Sequence, residues 1–279
     1  MIFFTTTSKE SALAEVAPGD ELLPGYEVVS LLRRGNRLDT YDVVSTERDC
    51  RCVVKVLRPD RQGEQACRTA LVREGTLLRD LSHPHLVRAY EVITEPRTAV
   101  ILETLPGDTL AAVIERGPLD PRDTSVLGLQ LVSVLGYLHR QGWLHLDVKP
   151  SNIVVMSGRA VLIDLSLVSR PGQGRRHAGT DGYLAPEQAA GVGLSPASDV
   201  FGLGITLGEA LTGELAHGEE GRWRRGTASR ATTRLFRRRL SQVPAPMAEL
   251  VEACVHPDPA LRPSLEHVRS TLAVARGAL

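Results

Sequence analysis

The spacing of apolar residues changes once along this 279-residue chain, near Pro106-Gly107-Asp108, and that change limits the folds open to it. Before it, Tyr26-Glu-Val-Val-Ser-Leu-Leu, Thr40-Tyr-Asp-Val-Val and Cys52-Val-Val-Lys-Val-Leu are short runs rich in β-branched residues, separated by turn formers. Such runs read as strands of a small antiparallel sheet. Residues 87–92 and 98–102 have the same character. Residues 65–81 instead place Cys67, Leu71, Leu78 and Leu81 at helical spacing. After the change, helices dominate. Residues 124–139 form one that Gly142 stops, and another starts at Pro246. Residues 199–211 are almost wholly apolar, as a buried helix requires. The expected fold class is α+β: a small antiparallel β-sheet lobe with one helix, a hinge at 106–108, and a mainly helical second lobe.

Composition narrows the function classes. Basic and acidic residues number 33 each, so no net charge draws the chain to nucleic acid or to an anionic membrane. The longest apolar run, near residues 200–211, falls well short of the roughly 20 that a spanning helix needs. The opening Met-Ile-Phe-Phe-Thr-Thr-Thr has neither a basic start nor the apolar length of a signal peptide, and residues 1–20 read as a loose lead-in. Cys50, Cys52, Cys67 and Cys254 are too scattered for a disulfide framework. A soluble protein of the reducing cytoplasm is expected. Lysine occurs only at Lys9, Lys55 and Lys149. Arginine is a rigid fork and lysine a compact point charge, so the two interior lysines mark positions where a compact ammonium is needed, unless chance placed them.

Two groups of residues carry chemistry. Lys55 lies inside an apolar strand, and Glu74 falls on the helical stripe 71, 74, 78, 81. Each alone would be an expensive buried charge. Together they make an ion pair; the alternative is two side chains satisfied by water. The second group is His145-Leu-Asp-Val-Lys-Pro-Ser-Asn152, followed by Ile153-Val-Val-Met, the turn Ser157-Gly158-Arg159, and Ala160-Val-Leu-Ile-Asp164. This is a hairpin pattern centred on Gly158. Asn152 and Asp164 are equidistant from that glycine, so the pattern puts them side by side at the open end. An amide oxygen beside a carboxylate suits a hard cation such as Mg²⁺. Asp147 and Lys149 lead into the same spot. A general base and an ammonium beside a metal-bound phosphate are the equipment of phosphoryl transfer.

With these motifs in this order, the chain resembles a eukaryotic-type (Hanks-type) protein serine/threonine kinase domain of the kind found in bacteria. The resemblance covers roughly residues 20–275 and implies lobes at 21–103 and 109–275, with the hinge at 103–108. It implies ATP and Mg²⁺ as cofactors and a protein hydroxyl as acceptor. Lys55 would contact the α- and β-phosphates, with Glu74 as its helix partner. Gly35 belongs to the phosphate-covering loop, and the segment from Glu103 through Leu105 would meet adenine through its backbone. Asp147 matches the catalytic aspartate, Lys149 the γ-phosphate lysine, and Asn152 and Asp164 the metal ligands. Gly179-Thr180-Asp-Gly-Tyr-Leu-Ala-Pro-Glu187 resembles the end of the activation segment, where Thr180 would bond to Asp147 and Lys149. Asp199 and Arg262 match structural positions, with Arg262 pairing Glu187.

The chain departs from the family pattern at several positions. The phosphate loop reads Arg33-Arg34-Gly35-Asn36-Arg37-Leu38-Asp39-Thr40 and keeps only Gly35. Its arginines either face phosphate or are solvated. Leu146 stands where the family's arginine captures an activation-segment phosphate, Leu165-Ser166 replaces Phe-Gly, and Val53 replaces alanine above adenine. The base, the ligands and the phosphate lysine are all retained. An active kinase is therefore the first reading, and a pseudokinase acting as a regulatory binding module is the second. Residues 222–239 carry Arg222, Arg224, Arg225, Arg230, Arg234, Arg237, Arg238 and Arg239. This segment is a solvated face, a docking site for an acidic protein, or a nucleic-acid contact.

Overall fold

The computed structural model describes residues 15–172, 174–216 and 233–278. They divide into two compact units. One holds the residues up to Ser82 together with Val87–Leu105, and the other holds His83–Leu86 and the residues from Pro106 onward.

The first unit is built on six antiparallel strands: β1 (Glu21–Leu23), β2 (Tyr26–Arg34), β3 (Leu38–Ser45), β4 (Cys50–Leu57), β5 (Ala89–Ile93) and β6 (Ala99–Glu103). Their order in the sheet is β1-β2-β3-β4-β6-β5. Strand β1 extends the sheet ahead of the first expected strand. Pro24 and Gly25, the latter at φ 81°, turn the chain back onto β2, as a proline–glycine turn does. Alternation sorts the faces of β4. Cys52, Val54 and Val56 are buried in a core with Val28, Tyr41, Val43, Ala99 and Ile101, which leaves Val53 and Lys55 to the opposite face. Lys55 is paired with Thr40 on one side and Val100 on the other, so both ladders fix its backbone. Helix α1 (Gln65–Asp80) buries Cys67, Leu71, Glu74 and Leu78. Gly75 permits its close approach: a Cβ there would lie 2.5 Å from Val100 and 2.7 Å from Val92. That approach lowers Glu74 toward the sheet.

The second unit contains helices α2 (Leu110–Glu115), α3 (Pro121–Arg140), α4 (Pro186–Ala190), α5 (Pro196–Thr212), α6 (Arg234–Leu240), α7 (Ala245–Cys254) and α8 (Leu265–Ala278). Strands β7 (Asp108–Thr109), β8 (Ile153–Met156) and β9 (Arg159–Leu162) form a small antiparallel sheet. Helix α3 starts ahead of the apolar pattern because the Asp120 carboxylate accepts the Arg122 N–H at 2.8 Å and Pro121 occupies the first turn. Helix α5 is buried on almost every side, which is why its sequence shows no polar face. Helices α2, α4 and α6 have no counterpart in the periodicity reading, since fewer than two turns display no period. Helix α8 does carry a stripe, Val268, Leu272 and Ala275, all buried. Among the described residues no helix is long and apolar enough to cross a membrane.

The β8–β9 turn corrects the expected register. Ser157 (φ 47°) and Gly158 (φ 77°) both adopt left-handed backbone, the signature of a two-residue hairpin turn whose centre lies between them. Ile153 therefore faces Leu162, and the next pair outward is Asn152 with Ile163, whose N–H donates to the Asn152 carbonyl at 3.0 Å. Asp164 sits one residue further out than a turn centred on Gly158 implies.

Candidate active site

In the first unit, Lys55 Nζ donates to Glu74 Oε1 at 2.7 Å. The two side chains are 12% and 3% exposed. The ion pair expected from strand and helix spacing is therefore present, held by Gly75 and the two flanking ladders. The Gly35 turn is fastened by arginines. Arg34 grips the buried Asp39 through Nε at 3.1 Å and Nη2 at 2.9 Å. Arg58 Nη1 donates to the Gly35 carbonyl at 3.1 Å, and its N–H to the Arg37 carbonyl at 3.0 Å. Of the three loop arginines, Arg34 is thus committed within the loop, and its bond to Asp39 raises its already high pKa further. Glu103 exchanges backbone and side-chain bonds with Arg88, and Leu105 is half-buried at the unit's end.

In the second unit, the loop after α3 is shaped by Asp199. Its buried carboxylate accepts the His145 N–H at 2.9 Å, the Leu146 N–H at 2.7 Å and His139 Nε2 at 2.7 Å. These bonds support Leu146 at φ 65°. For a residue with a Cβ this conformation is unfavourable by about 1–2 kcal/mol, and its stabilisation from outside marks a site where backbone geometry matters. The Leu146 side chain is buried with Leu144 and Leu194, and Leu167 packs against them.

Asp147 follows directly. Its Oδ1 accepts the Thr180 hydroxyl at 2.7 Å. Its Oδ2 accepts Lys149 Nζ at 2.7 Å and Asn152 Nδ2 at 2.8 Å. Asn152 Nδ2 also donates to the Asp147 carbonyl at 2.9 Å, and Lys149 Nζ donates to Thr180 Oγ1. Four residues expected in the site thus form one network around a single carboxylate. With its amide nitrogen committed, Asn152 keeps its carbonyl oxygen as the atom for a cation. Asp164 Oδ1 accepts the Ser166 N–H at 2.7 Å, which orients that carboxylate. Among the described residues no cluster of three or more His, Cys, Asp or Glu could hold a metal by itself. An amide oxygen and a carboxylate fit a hard cation that completes its shell with water and phosphate oxygens.

The activation segment is anchored by Glu187 and Arg262. The pair is bidentate, at 2.6 and 2.9 Å, and the Arg262 side chain is fully buried. The other three guanidinium N–H groups go to the carbonyls of His256, Ala197 and Pro257, so all five donors are used. Two features escaped the reading of the sequence. The Tyr183 hydroxyl donates to Glu209 Oε2 at 2.5 Å. Burial, then Glu209, raises the tyrosine pKa; burial raises that of Glu209 against the Tyr183 hydrogen bond. Glu209 and Asp199 are the charged residues of apolar α5, and that oddity was the available signal. The second feature is Gln188, a polar residue in a five-residue helix, for which the sequence carries no signal.

The fold and this network define a protein kinase domain, and the chain belongs to that family: the protein kinase domain model matches residues 26–272. It is 31% identical over 239 residues to the serine/threonine-protein kinase PkaA of Streptomyces coelicolor, covering 80% of this chain and 43% of that protein. It is 32% identical over 264 residues to the serine/threonine-protein kinase PknK of Mycobacterium tuberculosis, covering 88% of this chain and 23% of that one. The chain thus spans less than half the length of these curated relatives.

Proposed function

We propose that the chain transfers the γ-phosphoryl group of ATP to a serine or threonine hydroxyl of a protein. The observation that carries this reading is the Asp147–Thr180–Lys149–Asn152 network. Asp147 Oδ1 already receives a hydroxyl hydrogen bond, the interaction a substrate hydroxyl needs as it loses its proton. That proton goes to Asp147 as the substrate oxygen bonds to phosphorus and the bond to the ADP oxygen breaks. Lys149 supplies positive charge where negative charge develops on the transferring group. Lys55, kept in place by Glu74, would hold the α- and β-phosphates, and the segment from Glu103 to Leu105 would meet adenine through its backbone. Asn152 and Asp164 would hold a divalent cation, Mg²⁺ by the hardness of their oxygens, which when bound neutralises phosphate charge. The free cysteines Cys52, Cys67 and Cys254 are buried thiols, in keeping with a reducing, cytoplasmic setting. The test is transfer of label from γ-labelled ATP to casein. Wild type is expected to label it and Asp147→Asn to lose at least a hundredfold, about 2.7 kcal/mol. Absence of transfer by wild type would leave a binding module instead.

We further propose that an acidic protein segment docks on the basic stretch 222–239. Arg222, Arg224, Arg225 and Arg230 lie outside the described residues. Arg234, Arg237, Arg238 and Arg239 lie on exposed turns of α6, and Arg239 is paired with Glu214 at 3.1 Å. Beside them is an open groove of about 480 Å³ with Pro118, Pro121, Leu211, Leu235 and Val243 in its walls. Arg237→Glu with Arg238→Glu should weaken capture of an acidic, leucine-containing peptide without changing casein turnover, and equal capture would discard the proposal.

A further inference from the structure

We propose that Gln188 is a positioning residue that locks the activation segment onto the loop carrying Asp147. Its amide nitrogen donates to two carbonyls, Leu146 O at 2.6 Å and Ala178 O at 2.5 Å. Gln188 is 3% exposed, so its amide donates from a buried position, to a buried Leu146 carbonyl and a partly buried Ala178 carbonyl. Leu146 immediately precedes Asp147, and Ala178 stands two residues before Thr180. The Thr180–Asp147 hydrogen bond closes the other side of the circuit. Gln188 therefore sets the separation of the two strands of chain that present Thr180 to Asp147.

Three further observations separate this role from ordinary packing. The helix bearing Gln188 cannot drift, because the neighbouring Glu187 is held by Arg262 and accepts the Ser198 hydroxyl at 2.8 Å. The activation segment leaves room for this amide and little more. Gly179 has φ 154°, and a Cβ on it would lie 2.8 Å from Gln188 Nε2 and 2.2 Å from Leu184. Backbone bonds Gly174 N–H to Gly191 O at 3.0 Å and His177 N–H to Ala189 O at 3.3 Å lay the same segment along that helix. A primary amide is the group that fits: it offers two N–H donors to two acceptors, whereas a carboxylate would face both carbonyls with lone pairs.

This inference rests on the reading of Asp147 as the transfer base, and the test separates the two. The chain, treated with phosphatase, is assayed with ATP and casein. Gln188→Met, which keeps the length of the side chain and removes the donors, should lower kcat at least tenfold while KM for ATP stays within about twofold. In a Thr180→Val background the same change should lower kcat by less than about threefold, because a residue acting through Thr180 has little left to position. A kcat within twofold of wild type, or equal losses in both backgrounds, would overturn the proposal. Should wild type itself transfer nothing, the kinase reading fails and the lock is read by amide hydrogen exchange. Exchange over residues 176–183 should then rise at least roughly tenfold in Gln188→Met with α5 unchanged, and unchanged exchange overturns the proposal. If Gln188→Met does not fold, Gln188→Asn, one methylene short of the two carbonyls, is expected to behave the same way in both measurements.

Discussion

Single side chains set the chemistry, and the strongest cases are charges removed from water. Lys55 and Glu74 stabilise each other within 2.7 Å, yet a lysine needed only for packing would be replaceable by methionine. Lys55→Met should keep a folded protein and reduce transfer at least a hundredfold, about 2.7 kcal/mol of barrier. It should also lose most of the rise in melting temperature that Mg²⁺ and ATP give wild type, since ligand stabilisation scales with the affinity retained. Wild-type turnover in this variant would remove Lys55 from the site. Glu209 provides a second case. Burial holds its folded pKa above the usual carboxylate value of 4.5. The folded state then binds more protons than the unfolded chain between the two values, so stability falls as pH rises through that window. Glu209→Gln keeps an acceptor for Tyr183 and removes the titration. Its melting temperature relative to wild type should climb as pH rises from about 4.5 toward neutrality, and a constant difference would show that Glu209 is not the titrating group.

At the scale of an element, the activation segment is tied down by contacts that need no added phosphate. Ser169 exchanges backbone bonds with Leu144 in both directions, at 2.8 and 3.0 Å. Arg170 lies 3.7 Å over the Trp143 ring and donates to the carbonyls of Gln141 and Gly142. The guanidinium beside Ser169 is thus already engaged with the end of α3, where a cation is favoured. Leu146, with its side chain in an apolar cluster, offers no cation either. Phosphatase-treated protein and Ser169→Ala should both keep their rate within about threefold of untreated wild type. A loss of tenfold or more, about 1.4 kcal/mol, would reveal a phosphate switch. These ties were only partly legible beforehand. Leu146 is visible in the sequence as a missing charge, whereas the engagement of Arg170 is a matter of where two distant segments meet.

At the scale of the whole molecule, Lys55 belongs to the sheet unit, and Asp147, Lys149, Asn152, Asp164 and Thr180 belong to the helical unit. Each unit is stabilised in its own way. The first relies on alternating β-branched strands, the second on the buried helix α5 and the Glu187–Arg262 pair, whose partners are 75 residues apart in sequence. Breaking a buried pair strands the remaining charge, at a cost of about 3–5 kcal/mol. Arg262→Ala should therefore lower the melting temperature of the second unit by on the order of 10 °C. It also frees α4, so activity should fall even below that melting point. A shift under about 2 °C would mean that the pair carries little of the stability.

The sequence by itself determined whatever depends on local spacing. Short β-branched runs located β2 to β6, the turn at Gly158 located the β8–β9 hairpin, and helical spacing located α1 and α3, whereas β1 and β7 were too short to show. The intersection of the two patterns brought Lys55 and Glu74 together, because a strand face and a helix stripe each point in one direction. The order of motifs from His145 to Glu187 named the candidate site residues of the helical unit. What the tertiary structure alone decided depends on dihedral angles and on packing between remote segments. The hairpin turn is centred between Ser157 and Gly158 because both are left-handed, and residue counting carries no φ. Asp199 supports Leu146 across more than fifty residues, and Gln188 joins Leu146 to Ala178. No period encodes such bonds. They exist because burial leaves those polar groups no partner but each other.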